Sequence, residues 1–517
     1  MRFLYNRPID QTISELWNSI DGAYKKAFFF VVGINLLAFG FEMTNLTIHH
    51  DDIWQIFIRD DIIGHYLGRF GLGWLHYRMQ NAHIMPFLQM FEGIVFMTVY
   101  GLVISRLWGL RRTADIVLVS SIVCVFPFVA QMYSYNALTA LYPIAHLLSA
   151  IAVLLSTRAT LVHIAIASLL YTAAFSIYQS VIANAATIFV FWVLSTLLFT
   201  SKPDDFTIKT IVKPLLAACV SVFSGGLLYV TVVWFLNIDF GSYQDAGEAF
   251  SLQHGFNPSY AITEVIKGTR SFFFWPEHYF PDFLKKLQLV FLATAGILCL
   301  WIPKGLPIKI AAAVIFLLTF LTPRILQLIH PEGIYHNLTL TAYAVTIAGF
   351  VMMVFRAKYI LVRNLSIIFA AILVGGYIIQ CSWVSTVNYL NTLAHYTTLT
   401  QVLARVRSLP EEWDGEKVVV VGNYRMKQDY PYKVTTGVAT NYIGTEFTEH
   451  MNQLARLMRD EVIFVPADQT TPEALEYART YSAWPHSTSV GVVDGVGVVV
   501  FSNDDLKPGA QQLERVY

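Results

Sequence analysis

Residues 27–52 read AFFFVVGINLLAFGFEMTNLTIHHDD. From Ala27 to Phe41 there is no charge, Lys25 and Lys26 stand before the block, and Glu42 closes it. A run of this length and apolarity is what a helix needs to cross about 30 Å of hydrocarbon. Working outward, comparable blocks recur, so that spans are expected at 27–43, 85–105, 115–132, 138–156, 160–177, 181–200, 212–236, 287–303, 306–322, 339–355 and 365–382. The composition agrees. The chain is 55% hydrophobic and 14% charged, against roughly 45–50% and about 25% for soluble domains. The expected fold class is therefore a polytopic α-helical membrane protein with about 11 transmembrane helices and a small C-terminal α/β extracytoplasmic domain.

Zero formal net charge provides no global field to attract nucleic acid. Cys124, Cys219, Cys299 and Cys381 all fall in or beside apolar blocks and read as small buried hydrophobes rather than a disulfide or metal framework. About 26 residues precede the first block, and Phe41, Glu42 and Met43 end it without a small-residue cleavage site, so the span is expected to be retained. Ahead of it, Thr12 and Glu15 have capping-box spacing and Ile13, Leu16, Trp17 and Ile20 recur at helical intervals. That pattern predicts a short helix lying in the interface.

Placing the N-terminus in the cytoplasm puts most loop cations on that side, among them Lys25, Lys26, Arg106, Arg111, Arg112, Arg356 and Arg363. The positive-inside rule favours this arrangement, and an odd span count sends the C-terminus outside the cytoplasm. Outer segments at 44–84, 237–286 and 323–338 then become the places to look for chemistry. The domain expectation is a transmembrane domain over 1–382 and a soluble domain over 383–517 on the outer side. In the latter, KVVVVG at 417–422 and EVIFVP at 461–466 read as strands, 489–502 as a hairpin around Asp494 and Gly495, and 446–460 and 471–481 as helices.

His49, His50, Asp51 and Asp52 follow the first span directly. Adjacent carboxylates where a helix leaves the bilayer are costly unless they bind a cation, accept a proton or pair with a base. The bland alternative is a solvated acidic cap. His and Asp suit several divalent ions, but adjacent ligands rarely all reach one ion; no metal site is assigned, no cofactor is expected, and an optional divalent cation is left open. The loop continues through Ile53–Ile63, with apolar and charged residues mixed as in a surface-lying helix. Gln131, Tyr133, Tyr135 and Asn136 after the third span, and Tyr178 and Gln179 after the fifth, form either an aromatic belt or a sugar- or phosphate-binding rim. Arg324 at the outer end of the ninth span either meets lipid headgroups or grips a phosphate with its guanidinium fork. The aromatic run from Arg270 to Pro276 reads as an interfacial anchor.

These residues together resemble a known family. The pair Asp51–Asp52 after the first span, the Gly68-Arg69-Phe70 triplet, Tyr178-Gln179, and the segments from Trp484 to Val490 and Asp494 to Val500 are similar to the type-II glucosyltransferases, membrane Gtr proteins that modify bacterial O-antigen. Members often have tryptophan where this chain has Phe70. The resemblance implies a GT-C-like catalytic domain whose first outer loop supplies an acidic catalytic residue. It implies a polyprenyl phosphate sugar donor and a lipid-linked O-antigen polysaccharide acceptor at the periplasmic face of the bacterial inner membrane, so that the outer soluble domain over 383–517 is periplasmic. The function expected is an inverting, polyprenyl-phosphate-sugar-dependent hexosyltransferase moving glucose or a related hexose. Asp51 and Asp52 are the candidate catalytic residues; His50, Arg69, Tyr178, Gln179 and Arg324 are the candidate substrate-binding residues. The partners expected are the donor, the acceptor glycan and membrane lipids, with no nucleic acid. The rival reading, a lipid-linked sugar flippase or transporter, calls for paired mid-span charges or repeat symmetry, and the sequence shows few of the former and none of the latter.

Overall fold

The computed structural model describes residues 9–48, 52, 67–81, 83–199, 208–238, 258–275, 279–301, 305–329, 331, 335–357, 359–409, 413, 415–425, 442–445, 448–467 and 471–503. The chain divides into two compact units, one of 1–44 with 60–385 and one of 45–59 with 386–517.

The first unit is a helical bundle. Each of the eleven expected spans falls on a helix. Among the described residues nine helices are long and apolar enough to cross a membrane, ten if a bent pair counts as one span, and Leu161–Ile177 is a shorter apolar helix. The bent pair corrects the sequence reading at 115–132. That span is broken into Thr113–Cys124 and Pro127–Tyr133 with a 55° bend. Pro127 lacks the amide hydrogen to continue the ladder, and it forces Phe126 into extended backbone (φ −61, ψ 134).

Ala342–Phe355 is the centre of this unit, with every one of its residues buried. A helix apolar on all sides has no face to offer water, and this one packs against Thr113–Cys124, Val181–Phe199 and Asp282–Trp301. Outside it, Leu161–Ile177 packs against both Leu141–Ser156 and Ile208–Phe235. The aromatic run at 270–276 divides rather than anchoring as a block. Phe272 and Phe273 are buried, Phe272 stacking on Tyr343 with ring centroids 3.8 Å apart, while Phe274 and Trp275 are exposed. Cys219 is likewise exposed, in contrast to the buried Cys124, Cys299 and Cys381. The N-terminal helix is present as Ile9–Ser19, with Thr12 and Glu15 both within it.

The second unit carries a sheet of order β4-β1-β6-β5, formed by β1 (Lys417–Val421), β4 (Ile463–Pro466), β5 (Val490–Val493) and β6 (Val496–Val500). β1 runs parallel to both neighbours, and β5 and β6 form the expected antiparallel hairpin. Its turn residues Asp494 and Gly495 have φ of 50 and 79, the left-handed pair that two-residue hairpin turns require. The unbroken valine run in β1 is explained by burial on both faces. Val418 and Val420 pack with Val402, Val406 and Met451, while Val419 and Val421 pack with Ala474 and Ala478. Two short strands, β2 (Asn423–Arg425) and β3 (Tyr442–Gly444), pair antiparallel and were not expected from the sequence.

The helix carrying the last span does not stop near residue 382. It continues unbroken over Ile360–Arg407, and Leu399, Val402, Leu403 and Val406 supply part of the second unit's core. Arg405 fastens this end: its guanidinium lies 4.3 Å from the Trp484 ring centroid and donates to the carbonyls of Pro485 and His486, each at 2.9 Å.

Candidate functional site

Three of the sequence-predicted residues, Arg69, Tyr178 and Gln179, meet directly. Helix Leu161–Ile177 ends at Tyr178, which is extended (φ −155, ψ 105) and turns Gln179 toward the segment 67–70. The Gln179 amide is bonded at both ends, with a second lone pair on Oε1 still open to a donor among the described residues. Its Nε2 donates to the Leu67 carbonyl at 2.8 Å and to the Tyr229 hydroxyl at 3.0 Å, and its Oε1 accepts from Arg69 Nε at 3.3 Å. Tyr229 passes the bond on, donating to the Gly68 carbonyl at 3.1 Å. Arg69 Nη1 donates to the Tyr142 hydroxyl at 3.2 Å, and the guanidinium lies 5.2 Å from the Tyr178 ring centroid. Gly68 has φ 63, a conformation that disfavours any side chain. The Gly68-Arg69-Phe70 triplet is therefore a turn that needs its glycine, aims a guanidinium, and stacks Phe70 on Tyr229 at 5.9 Å.

Below this cluster a hydrogen-bonded chain runs into the bundle. His146 Nδ1 lies 2.8 Å from the Tyr142 carbonyl, which can only accept, so that nitrogen carries the proton. In the neutral ring Nε2 is then an acceptor, and Thr341, 3.0 Å away, donates to it. Asn184 Nδ2 donates to Thr341 Oγ1 at 3.1 Å, and Tyr100 donates to Asn184 Oδ1 at 3.1 Å. Each polar group has a partner, as a polar network inside an apolar bundle must.

A separate set of hydrogen bonds lies around Arg324. Thr187, one turn beyond Asn184, has its hydroxyl 3.0 Å from that of Thr322, and Tyr343 follows Thr341 by two residues. Arg324 Nε donates to Tyr343 Oη at 2.9 Å, and Nη1 donates to Gln327 Oε1 at 3.0 Å. Its guanidinium occupies the space that a Cβ on Gly268 would take. No ion pair involves Arg324 among the described residues: both of its side-chain acceptors are neutral. Nearby, burial pushes the Tyr335 phenol up against the pull of the Arg324 guanidinium, keeping it a neutral donor. Burial also lowers the His336 imidazole, disfavouring its charged form.

The acid pair is represented by Asp52 alone, since Asp51, His49 and His50 lie outside the described residues, as does the 53–63 segment. Asp52 belongs to the second unit and is helical and buried, with 2% exposure. A solvated acidic cap does not describe it. Close by in sequence, Ile48 is part of that unit's core, and its amide donates to Thr392 Oγ1 at 3.3 Å. Among the described residues no three His, Cys, Asp or Glu side chains are grouped to hold a metal ion. Gln131, for which an aromatic belt or a binding rim was open, accepts from the Leu338 amide at 3.0 Å, and Tyr133 is fully buried.

Residues 40–387 match the family model described as Glucosyl transferase GtrII. The chain belongs to this family. Membership makes it a glucosyltransferase, and the matched range contains the acid pair, Arg69, Tyr178, Gln179 and Arg324. It leaves out 388–517, including the Trp484–Val490 and Asp494–Val500 segments that carried part of the resemblance. No curated protein and no solved structure matches the chain.

The sequence reading of this GtrII chain missed Tyr142, His146, Asn184, Tyr229 and Thr341. A signal was present, because polar and ionisable side chains inside apolar spans are expensive and mark functional interiors; Tyr142 and His146 stand at i and i+4 in one such span. Gln179→Leu conserves bulk but removes every bond that the amide makes, leaving the Leu67 carbonyl and Arg69 short of partners. It is expected to destabilise the protein by about 1–3 kcal/mol, read as a lowered unfolding midpoint in detergent. An unchanged midpoint would show that the 67–70 turn does not depend on Gln179.

Proposed function

We propose that this GtrII-family glucosyltransferase takes glucose or a related hexose from a polyprenyl phosphate sugar and adds it to a lipid-linked polysaccharide, at the periplasmic face of the bacterial inner membrane. The acceptor hydroxyl oxygen bonds to the anomeric carbon as that carbon's bond to the phosphate oxygen breaks. The electron pair leaves with the lipid phosphate, configuration inverts, and the acceptor proton passes to Asp51, with Asp52 orienting it. Arg324 takes the departing phosphate, while His50, Arg69, Tyr178 and Gln179 hold the sugars. General-base help is worth about 10²- to 10⁴-fold, and charge stabilisation adds to it.

The observation that supports this reading most is Arg324. A half-buried guanidinium whose side-chain partners are a phenol and an amide retains its charge for an anion, and its planar donors fit phosphate oxygens. The Arg69 cluster supports a sugar-facing role, because fixed amide, phenol and guanidinium groups beside an aromatic ring are what hydroxyl-rich ligands require. The domain assignment in this proposal keeps catalysis in 1–382 and a soluble periplasmic role for 383–517.

The test is transfer by purified protein in liposomes supplied with radiolabelled polyprenyl phosphate glucose and lipid-linked acceptor glycan. Label appearing in the glycan is the expected outcome. Movement of donor across the bilayer without transfer would replace the enzyme reading with a flippase.

A further inference from the structure

A second feature lies at the far end of helix Leu141–Ser156 from Tyr142. There the N-terminal helix Ile9–Ser19 and the start of Gly22–Thr44 face the last turns of Pro86–Leu107, enclosing an open groove of about 720 Å³. That volume is within the roughly 300–1,000 Å³ of small-molecule sites. Its floor is apolar, made by Phe28, Val99, Leu102, Val103 and Leu154. Its rim is cationic. Lys25 Nζ lies 5.2 Å from the Trp17 ring centroid, and the Arg106 guanidinium lies 5.7 Å from that of Tyr24. The Tyr24 hydroxyl is fixed by donation to the Leu110 carbonyl at 2.8 Å. Among the described residues neither cation is in an ion pair. Asp21 shares the rim, but its Oδ1 accepts from the Ala23 amide at 2.7 Å, capping the following helix.

Two cations set against one carboxylate leave the rim net positive, directly above an apolar trough. The complementary ligand is an amphiphile with an anionic head. Free phosphate would satisfy the rim alone, whereas a membrane supplies head and tail together, and basic pockets between membrane helices suit anionic lipid headgroups. We propose that this groove binds an anionic phospholipid, its phosphate between Lys25 and Arg106 and an acyl chain along Phe28, Leu102 and Val103. Trp17, 44% exposed, and Ile20, 43% exposed, then lie at the headgroup level where amphipathic helices insert. The bound lipid clips the N-terminal helix to the bundle.

The experiment uses the full chain in detergent, with phosphatidylglycerol or phosphatidylcholine of identical acyl chains. Thermal unfolding reads the stabilisation and native mass spectrometry counts retained lipid. Phosphatidylglycerol is expected to raise the midpoint and to be retained at concentrations where phosphatidylcholine is not. The double variant Lys25→Gln/Arg106→Gln should need roughly thirtyfold more phosphatidylglycerol for half its effect. Val103→Trp, which fills the floor and keeps both charges, should also lose retention. The proposal is overturned by equal behaviour of the two lipids on the wild-type protein, or by inorganic phosphate alone reproducing the shift. Undiminished retention by Val103→Trp also overturns it, whether or not the double variant folds.

Discussion

Asp51→Asn is expected to lower glucosyl transfer by about 10²-fold or more, with donor binding retained. The substitution keeps shape and nearly the volume, and removes only the proton acceptor. Asp52→Asn should behave differently in one respect. Asp52 is buried, and a buried carboxylate is tolerated only where its surroundings compensate the charge; changing it should therefore shift the unfolding midpoint as well as turnover. Asp60→Asn and Asp61→Asn, further along the same loop, control for general loss of negative charge. The measurement is initial rate and donor KM on correctly inserted protein, alongside thermal unfolding. Wild-type rates in both the Asp51 and Asp52 variants would remove the acid pair from the mechanism. Equal losses in all four would assign the loop an electrostatic or folding role instead.

Arg324→Ala should reduce kcat/KM for the donor by about 10²- to 10³-fold, the range for removing one group that stabilises developing charge. Arg324→Lys should recover part of this and no more. An ammonium is a point charge, unable to hold Tyr343 and Gln327 as the guanidinium does while also offering a fork to phosphate. Gly268→Ala gives an independent check, since its new methyl would occupy space now filled by the guanidinium. It should weaken donor use with the arginine still present. Direct binding of sugar-free polyprenyl phosphate separates the roles: the Arg324 variants should bind it more weakly, and the Asp51 variant should not. Unchanged affinity in Arg324→Ala would dissociate this residue from the phosphate.

Some of the candidate site was legible because its residue types stand out where they occur. An acid pair after one span, an arginine beside Pro323 after another, and a Gly-Arg-Phe turn between spans are all unexpected in apolar surroundings, so candidate chemistry could be read from local sequence. The partners that hold them could not be read in the same way. Tyr142, Tyr229 and Thr341 are far from Arg69 in sequence and individually ordinary; only packing of their helices makes them one network. His146 was the exception that could have been weighed, an ionisable group in mid-span.

Patterns local to the chain set the helices and the strongly patterned strands. Hydrophobic length fixes where a helix can cross hydrocarbon, and the valine run with the Asp494-Gly495 turn fixes a buried strand and a hairpin, because these choices depend on neighbours along the chain. Tertiary structure decided the rest. It carried the last helix on to Arg407 because its final turns had an α/β core to cover, and turned Phe272 and Phe273 inward while leaving Phe274 and Trp275 out. It also buried Asp52 and seated Arg324 on Gly268. Burial, approach and hydrogen-bond partnership depend on residues distant in sequence, and no local pattern encodes which distant surface will arrive.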